Sequence, residues 1–148
     1  MVDLVRGALA DPDFLAFAHE VTRSAGKRDT LEVPYQVVNF VRGAWVYRRD
    51  PVGVELIKTP SRALKEYRVF NTIVGDCDDA SLFAGSLLVA LGYPIRFVVM
   101  QSKPEAGKFD HIFFEVLAGQ EWKAIDGIAF GRDPFFRPQG VRYKTYPV

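Results

Sequence analysis

Residues 75–91 read GDCDDASLFAGSLLVAL, and from Ala80 onward nearly every side chain is apolar or small. A helix that is apolar on all sides has no face to offer water, so it has to lie inside a domain rather than on its surface. The remainder of the chain must therefore be wrapped around it. Asp76 can cap such a helix with Cys77 as its first residue, and Asp79, three positions after the cap, can complete a capping-box-like pair. Gly75 permits a tight turn into the helix, Gly92 ends it, and Pro94 prevents its continuation. Cys77 is the one cysteine of the chain. It stands at a helix N-terminus, where the dipole and the unpaired N–H groups favour a thiolate.

The chain has 148 residues, 49% hydrophobic and 25% charged, which suits one globular domain with a real core, spanning 1–148. A net charge of +1 gives no reason to expect nucleic acid or a membrane as partner. The basic residues at Arg48–Arg49 and between 132 and 144 read as solvated faces. A single cysteine excludes an internal disulfide and a zinc site built on thiolates, and nothing calls for a cofactor. The N-terminal residues MVDLVRGALADPDF lack the regions of a signal peptide. The apolar run at 82–91 is too short to span a bilayer. A cytoplasmic location is the expectation.

The flanking segments supply the wrapping. Asp11–Pro12 marks a helix start, followed by Phe14, Phe17, Ala18 and Val21 at helical spacing and closed by Gly26. Residues 27–33 read as a loop. Pro34 opens a second helix with the stripe Val37, Val38, Val41, Ala44 and Trp45, ended at Asp50–Pro51. The segment VGVELIKTP is ambiguous between strand and irregular chain, and Thr59–Pro60 begins a short helix. After the central helix the period changes to two. Residues 94–101, 111–118 and 121–126 read as strands, the last two joined at Gly119–Gln120. Residues 102–109 form a surface loop, and the tail from 127 reads as irregular chain over the core. The order predicts an α+β domain with a buried helix on an antiparallel sheet.

The hairpin supplies a geometric test for chemistry. With a two-residue turn, Ala118 pairs with Glu121, and Asp126 falls opposite Phe113. His111, two residues from Phe113 on the same face, becomes a diagonal neighbour of Asp126 within side-chain reach. A thiol, an imidazole and a carboxylate in the order Cys77, His111, Asp126 can act together. The imidazole takes the thiol proton, the carboxylate fixes the tautomer, and the Cys77 N–H at the helix start serves as an oxyanion donor. Trp45, Asn71, Gln36 and Tyr47 are candidates for a second donor. The bland alternative for Cys77 is a small buried hydrophobe. Asp76, Asp78 and Asp79 have one too, as acids favoured at any helix start. Their negative charge opposes thiolate formation, so the reactivity of Cys77 should depend on His111. His19, on the first helix, reads as a surface or core residue.

GDCDDASLFAGSLLVALGYPIRFVV, then HIFFEV, then WKAIDG, resembles the core of the transglutaminase-like superfamily of cysteine peptidases, over about residues 57–127. The resemblance implies a papain-like fold, acyl transfer through a thioester on a protein or peptide substrate, and the roles of nucleophile, base and orienting acid for Cys77, His111 and Asp126. Hydrolysis is favoured over cross-linking. The chain is also similar to small bacterial and phage-encoded versions, which implies a virion-associated location if it is phage-encoded. Some bacterial relatives bind calcium through acids that correspond to Asp76 and Asp78. Residues 1–50 and the tail match nothing in that family. Two alternatives keep the fold and change the function: a non-catalytic binding or phage-assembly module, and a peptidoglycan-peptide hydrolase.

Overall fold

The computed structural model describes residues 1–25, 30–51, 53–54 and 56–148. The stop expected at Gly26 and the first part of the loop after it lie outside these residues, as do two positions of the VGVELIKTP segment; its described residues form no strand. Helices α1 (Val2–Leu9), α2 (Pro12–Val21), α3 (Glu32–Ala44) and α4 (Pro60–Phe70) surround α5 (Cys77–Ala90). Strands β3 (Ile95–Gln101), β4 (His111–Ala118), β5 (Glu121–Ile125) and β6 (Arg142–Pro147) form an antiparallel sheet in the order β5-β4-β3-β6. A separate parallel pair joins β1 (Trp45–Tyr47) to β2 (Ile73–Gly75). The architecture is α+β, with a buried central helix on an antiparallel sheet.

The α5 sequence folds as its composition dictates. Ten consecutive residues, from Asp79 to Leu88, are buried, and Leu82, Phe83, Leu87 and Leu88 are fully enclosed. Each such side chain contributes about 1.5–3 kcal/mol over its exposed state. The helix ends in a paired C-terminal motif: Tyr93 N–H donates to Leu88 O at 2.9 Å and Gly92 N–H to Val89 O at 2.9 Å. Gly92 has φ +86°, which a residue with a Cβ seldom adopts. Phe14 of α2 meets Phe83 edge-on at 5.7 Å, so the expected α2 stripe does face the central helix.

Four expectations need correction. Helix α3 begins at Glu32 rather than Pro34 and ends at Ala44, well short of Asp50. A proline in the first turn costs little there, since N–H groups at that end have no helical partner. Trp45 leaves the helix with φ −93° and ψ 129° and pairs with Ile73 as the first residue of β1. A three-residue strand continuing an apolar stripe looks helical until its partner is known. The tail is not wholly irregular, because β6 pairs with β3 from Arg142–Gln101 to Pro147–Arg96. The segment before β6 covers the outer sheet face, where Arg137 contacts buried Glu115 and stands over Phe113.

The fourth correction concerns the entry to α5. Asp76 does cap it, accepting from Asp78 N–H at 3.3 Å, but Asp79 completes no capping box. Its carboxylate accepts from Lys58 N–H at 2.6 Å instead. Gly75 ends β2, and it serves close packing rather than a turn. A Cβ there would lie 2.5 Å from Asp79 Oδ2 and 3.0 Å from the Trp45 ring. Gly75→Ala should therefore cost about 1–3 kcal/mol of stability. Urea unfolding checks this, and an unchanged midpoint would mean that Asp79 and Trp45 yield freely.

Candidate active site

Cys77, His111 and Asp126 come from three elements that meet at the N-terminal end of α5. Cys77 is its first residue, so no carbonyl one turn back engages its N–H within the helix. His111 opens β4, and Asp126 follows the last residue of β5. The hairpin register is Ala118–Glu121 through Phe114–Ile125, the two-residue-turn register expected from Gly119–Gln120. His111 Nε2 and Asp126 Oδ2 are 2.7 Å apart. Ser81 of α5 ties the helix to β4 by donating to Ile112 O at 3.2 Å.

The second Asp126 oxygen accepts from Ile128 N–H at 3.0 Å, and the residue is 5% exposed. Arg42 of α3 reaches across to the Asp126 carbonyl at 3.1 Å and to the Arg132 carbonyl at 2.9 Å. That clamp had no signal in the sequence, since 84 residues separate its partners. With Nε2 engaged by Asp126, Nδ1 is the ring nitrogen left for Cys77. Burial opposes charge on the ring. The hydrogen bonds to Asp126 and Cys77, and the charges of both, outweigh it and push His111 up to about 10.

The sign of the linked stability follows. The folded value lies above the ordinary 6.5, so the stabilisation is fully present below about pH 6.5 and lost as pH rises through about 10. Thermal melting should show a drop between pH 8 and pH 10.5 at least about 5 °C larger for the wild type than for His111→Gln. Parallel curves for the two proteins would contradict the raised value.

Three carboxylates crowd the same helix end. Burial first, then the Asp76 hydrogen bond and the charges of Asp76 and Asp79, push Asp78 up to about 8. Burial lifts Asp79 to about 6 against the Lys58 N–H bond. Asp78 is thus mostly neutral at pH 7, and the cluster opposes a thiolate less than its three acids suggest. One oxygen from each of Asp76, Asp78 and Asp79 lies within 4.8 Å of the others. Each of the three also accepts a backbone N–H. Three remaining oxygens fall short of the roughly six to eight that calcium takes, so these residues alone do not fit that ion.

The other sequence candidates are occupied or displaced. The Trp45 indole N–H donates to Gly75 O at 3.0 Å. Asn71 is the left-handed, exposed C-cap of α4. Gln36 Nε2 donates to Ser24 at 3.3 Å, and Tyr47 accepts from Arg49 Nε at 3.4 Å. His19 is exposed and lines a hollow with Leu91, at the far end of α5, roughly 20 Å from Cys77 along the axis. A cleft of about 370 Å³ opens over Cys77, lined by Asp76, His111, Lys108, Phe109, Val99 and Ile112 among others. It lies between the thiol and the 102–109 loop, which contains a short 3-10 turn, Pro104–Ala106.

Among the described residues, no helix is long and apolar enough to cross a membrane. No protein-family model and no curated protein matches the sequence. Solved structures do. A provisionally assigned cysteine protease from Cytophaga hutchinsonii superposes with TM-score 0.61 at 15% identity, over 79% of this chain and 37% of that one. A provisionally assigned protease from Parabacteroides distasonis gives 0.61 at 10% identity, over 81% and 24%. A TGase structure gives 0.50 at 17% identity, over 93% and 34%. The chain thus spans little more than a third, at most, of the proteins it matches. At these identities the likeness speaks to architecture alone, and the α+β fold of this chain is the one it shares with these protease and TGase structures.

Proposed function

We propose that this chain is a thiol-dependent acyl-transfer enzyme that hydrolyses an amide or isopeptide bond in a protein or peptide. The observation that carries the reading is a single imidazole, 2.7 Å from a buried carboxylate, that lines one cleft together with the chain's only thiol. The raised basicity of His111 favours the pair in which the proton sits on the ring and the charge on sulfur. The sulfur attacks the substrate carbonyl, and the oxyanion that forms meets the Cys77 N–H at the helix start. Collapse breaks the C–N bond, the leaving amine takes the proton from His111, and a thioester remains on Cys77. Water then attacks, His111 accepts its proton, and the carboxylic acid departs as the thiolate–imidazolium pair is restored. Asp126 holds Nε2–H throughout, so that Nδ1 always faces the sulfur.

The test is to trap the acyl-enzyme. Acid quenching during turnover of a peptide mixture, followed by mass spectrometry, should find an adduct on Cys77 that is absent in His111→Ala. The adduct's mass identifies the acyl donor, including a peptidoglycan stem peptide if that is the substrate. An unmodified Cys77, together with alkylation no faster than that of free cysteine, would defeat the reading.

A further inference from the structure

A second cleft reaches the residues that flank Cys77, Gly75 before it and Asp79 after it. It lies on the β1 side, holds about 540 Å³ and is lined by Arg48, Arg49, Lys58, Arg62, Gly75 and Asp79 among others. Arg48 N–H donates to Gly75 O at 2.9 Å, which pins this wall two residues before the thiol. Arg49 is raised above its ordinary value, first by its bond to the Tyr47 hydroxyl and least by Cys77.

The acids lining this cleft are already engaged. Asp50 accepts from Leu56 N–H at 2.5 Å, and Asp79 from Lys58 N–H at 2.6 Å. The Lys58 ammonium is held by Glu66 at 2.5 Å. Among the described residues, the guanidinium groups of Arg48 and Arg62 have no hydrogen-bond or ion-pair partner. That of Arg49 has only the Tyr47 hydroxyl. Guanidinium presents a planar fork of donors that matches a carboxylate better than any other side chain does. Cations scattered over a convex surface would be an ordinary solvated face. Here three arginines line one hollow, two of them uncommitted among the described residues, the described acids are turned to backbone donors, and Gly75 and Asp79 bring the hollow to within two residues of the thiol on either side. Leu56 and Ile57, 58% and 45% exposed, give it an apolar wall as well.

We propose that this basic cleft is the subsite for an acidic stretch of the peptide substrate, gripped through its carboxylates by Arg48, Arg49 and Arg62 while the scissile amide lies over Cys77. The proposal rests on the reading of Cys77 as nucleophile. The substrate then runs from the arginine cleft, across the thiol, into the cleft walled by Val99, Phe109 and Ile112.

Two measurements on the full chain keep the two ideas separable. The first is fluorescence anisotropy of labelled hexaglutamate and hexalysine on Cys77→Ala at low salt, which needs no reactive thiol. Hexaglutamate should bind at least about tenfold more tightly than hexalysine, and lose that advantage as salt rises to about 0.3 M. Arg48→Gln combined with Arg62→Gln should weaken it about tenfold with the melting temperature unchanged, since both side chains only face solvent. Equal binding of the two peptides, or hexaglutamate binding unaltered in the double variant, would overturn the cleft. The second is the iodoacetamide rate of wild-type Cys77 with and without hexaglutamate. Protection that disappears in the double variant supports the subsite, and binding without protection overturns it. A Cys77 no more reactive than free cysteine would instead sink the nucleophile, while the anisotropy would still report on the cleft.

Discussion

His111→Ala should slow the alkylation of Cys77 by iodoacetamide at about pH 6 by roughly a hundredfold. An unassisted thiol is only about 0.3% ionised at that pH, and the rate follows the thiolate. On the proposed reading the wild-type pair escapes this limit, because a ring pushed up to about 10 is charged at that pH and its charge favours the thiolate beside it. The surrounding acids sharpen the contrast. Asp76, which lines the same cleft as Cys77, stays there in the variant with no imidazolium to balance it. Turnover should fall further than alkylation does, by about 10²–10⁴, because the leaving amine also loses its proton donor. Stopped-flow alkylation and peptide hydrolysis by the same preparation check both numbers. A rate that barely changes would mean that Cys77 is a packing residue.

Asp126→Asn should be nearly as damaging while leaving the fold in place. The amide matches the carboxylate in shape, and its oxygen can still accept from Ile128 N–H, as Oδ1 does now. Its NH₂ would then face His111 Nε2, which has to turn acceptor and send the ring proton to Nδ1. A ring protonated on the nitrogen facing the sulfur and neutral overall has no site left for the thiol proton. Loss of activity by about 10³–10⁴ is expected, as when the orienting acid of any such triad becomes an amide. The alkaline fall in activity, set near pH 10 in the wild type by deprotonation of the imidazolium, should move toward neutrality. Activity within about tenfold of wild type would show that the geometry alone, not the charge, is what Asp126 supplies.

What could be read in advance was local. The run from Ala80 to Leu91 fixes a buried helix because no orientation of it suits water. The turn at Gly119–Gln120 fixes the pairing that puts His111 diagonal to Asp126, because a hairpin register is set within a few residues. What escaped reading depends on partners far off in the chain. β1 and β2 have three residues each, and neither Trp45–Tyr47 nor Ile73–Gly75 looks like a strand until it meets the other. α1 is a short helix with Gly7 inside it, a weak signal that packing onto α5 makes good. The Asp79 carboxylate faces Lys58 rather than the helix start because burial beneath Gly75 decides its direction. Arg42 and the arginine cleft have no periodic signature of any kind. The clamp exists only where α3 meets the chain after β5, and the cleft only where the chain after β1 meets α4 and β2.

The position of β6 bears on how this molecule behaves when crowded. Without it, β3 would present a bare row of backbone donors and acceptors carrying PIRFVVMQ, a sequence well suited to recruiting another chain. β6 seals that row and becomes the new rim, all six of its residues exposed. Its sequence, RYKTYP, sets Arg142 and Lys144 along the rim and closes it with Pro147, which has no N–H to donate. Like charges on two approaching rims repel, and the proline interrupts any ladder that starts. The strand that guards β3 is itself a poor template. Concentrated solutions at neutral pH should therefore stay free of fibres, and Arg142→Val with Lys144→Val should bring fibre-specific dye binding without lowering the melting temperature.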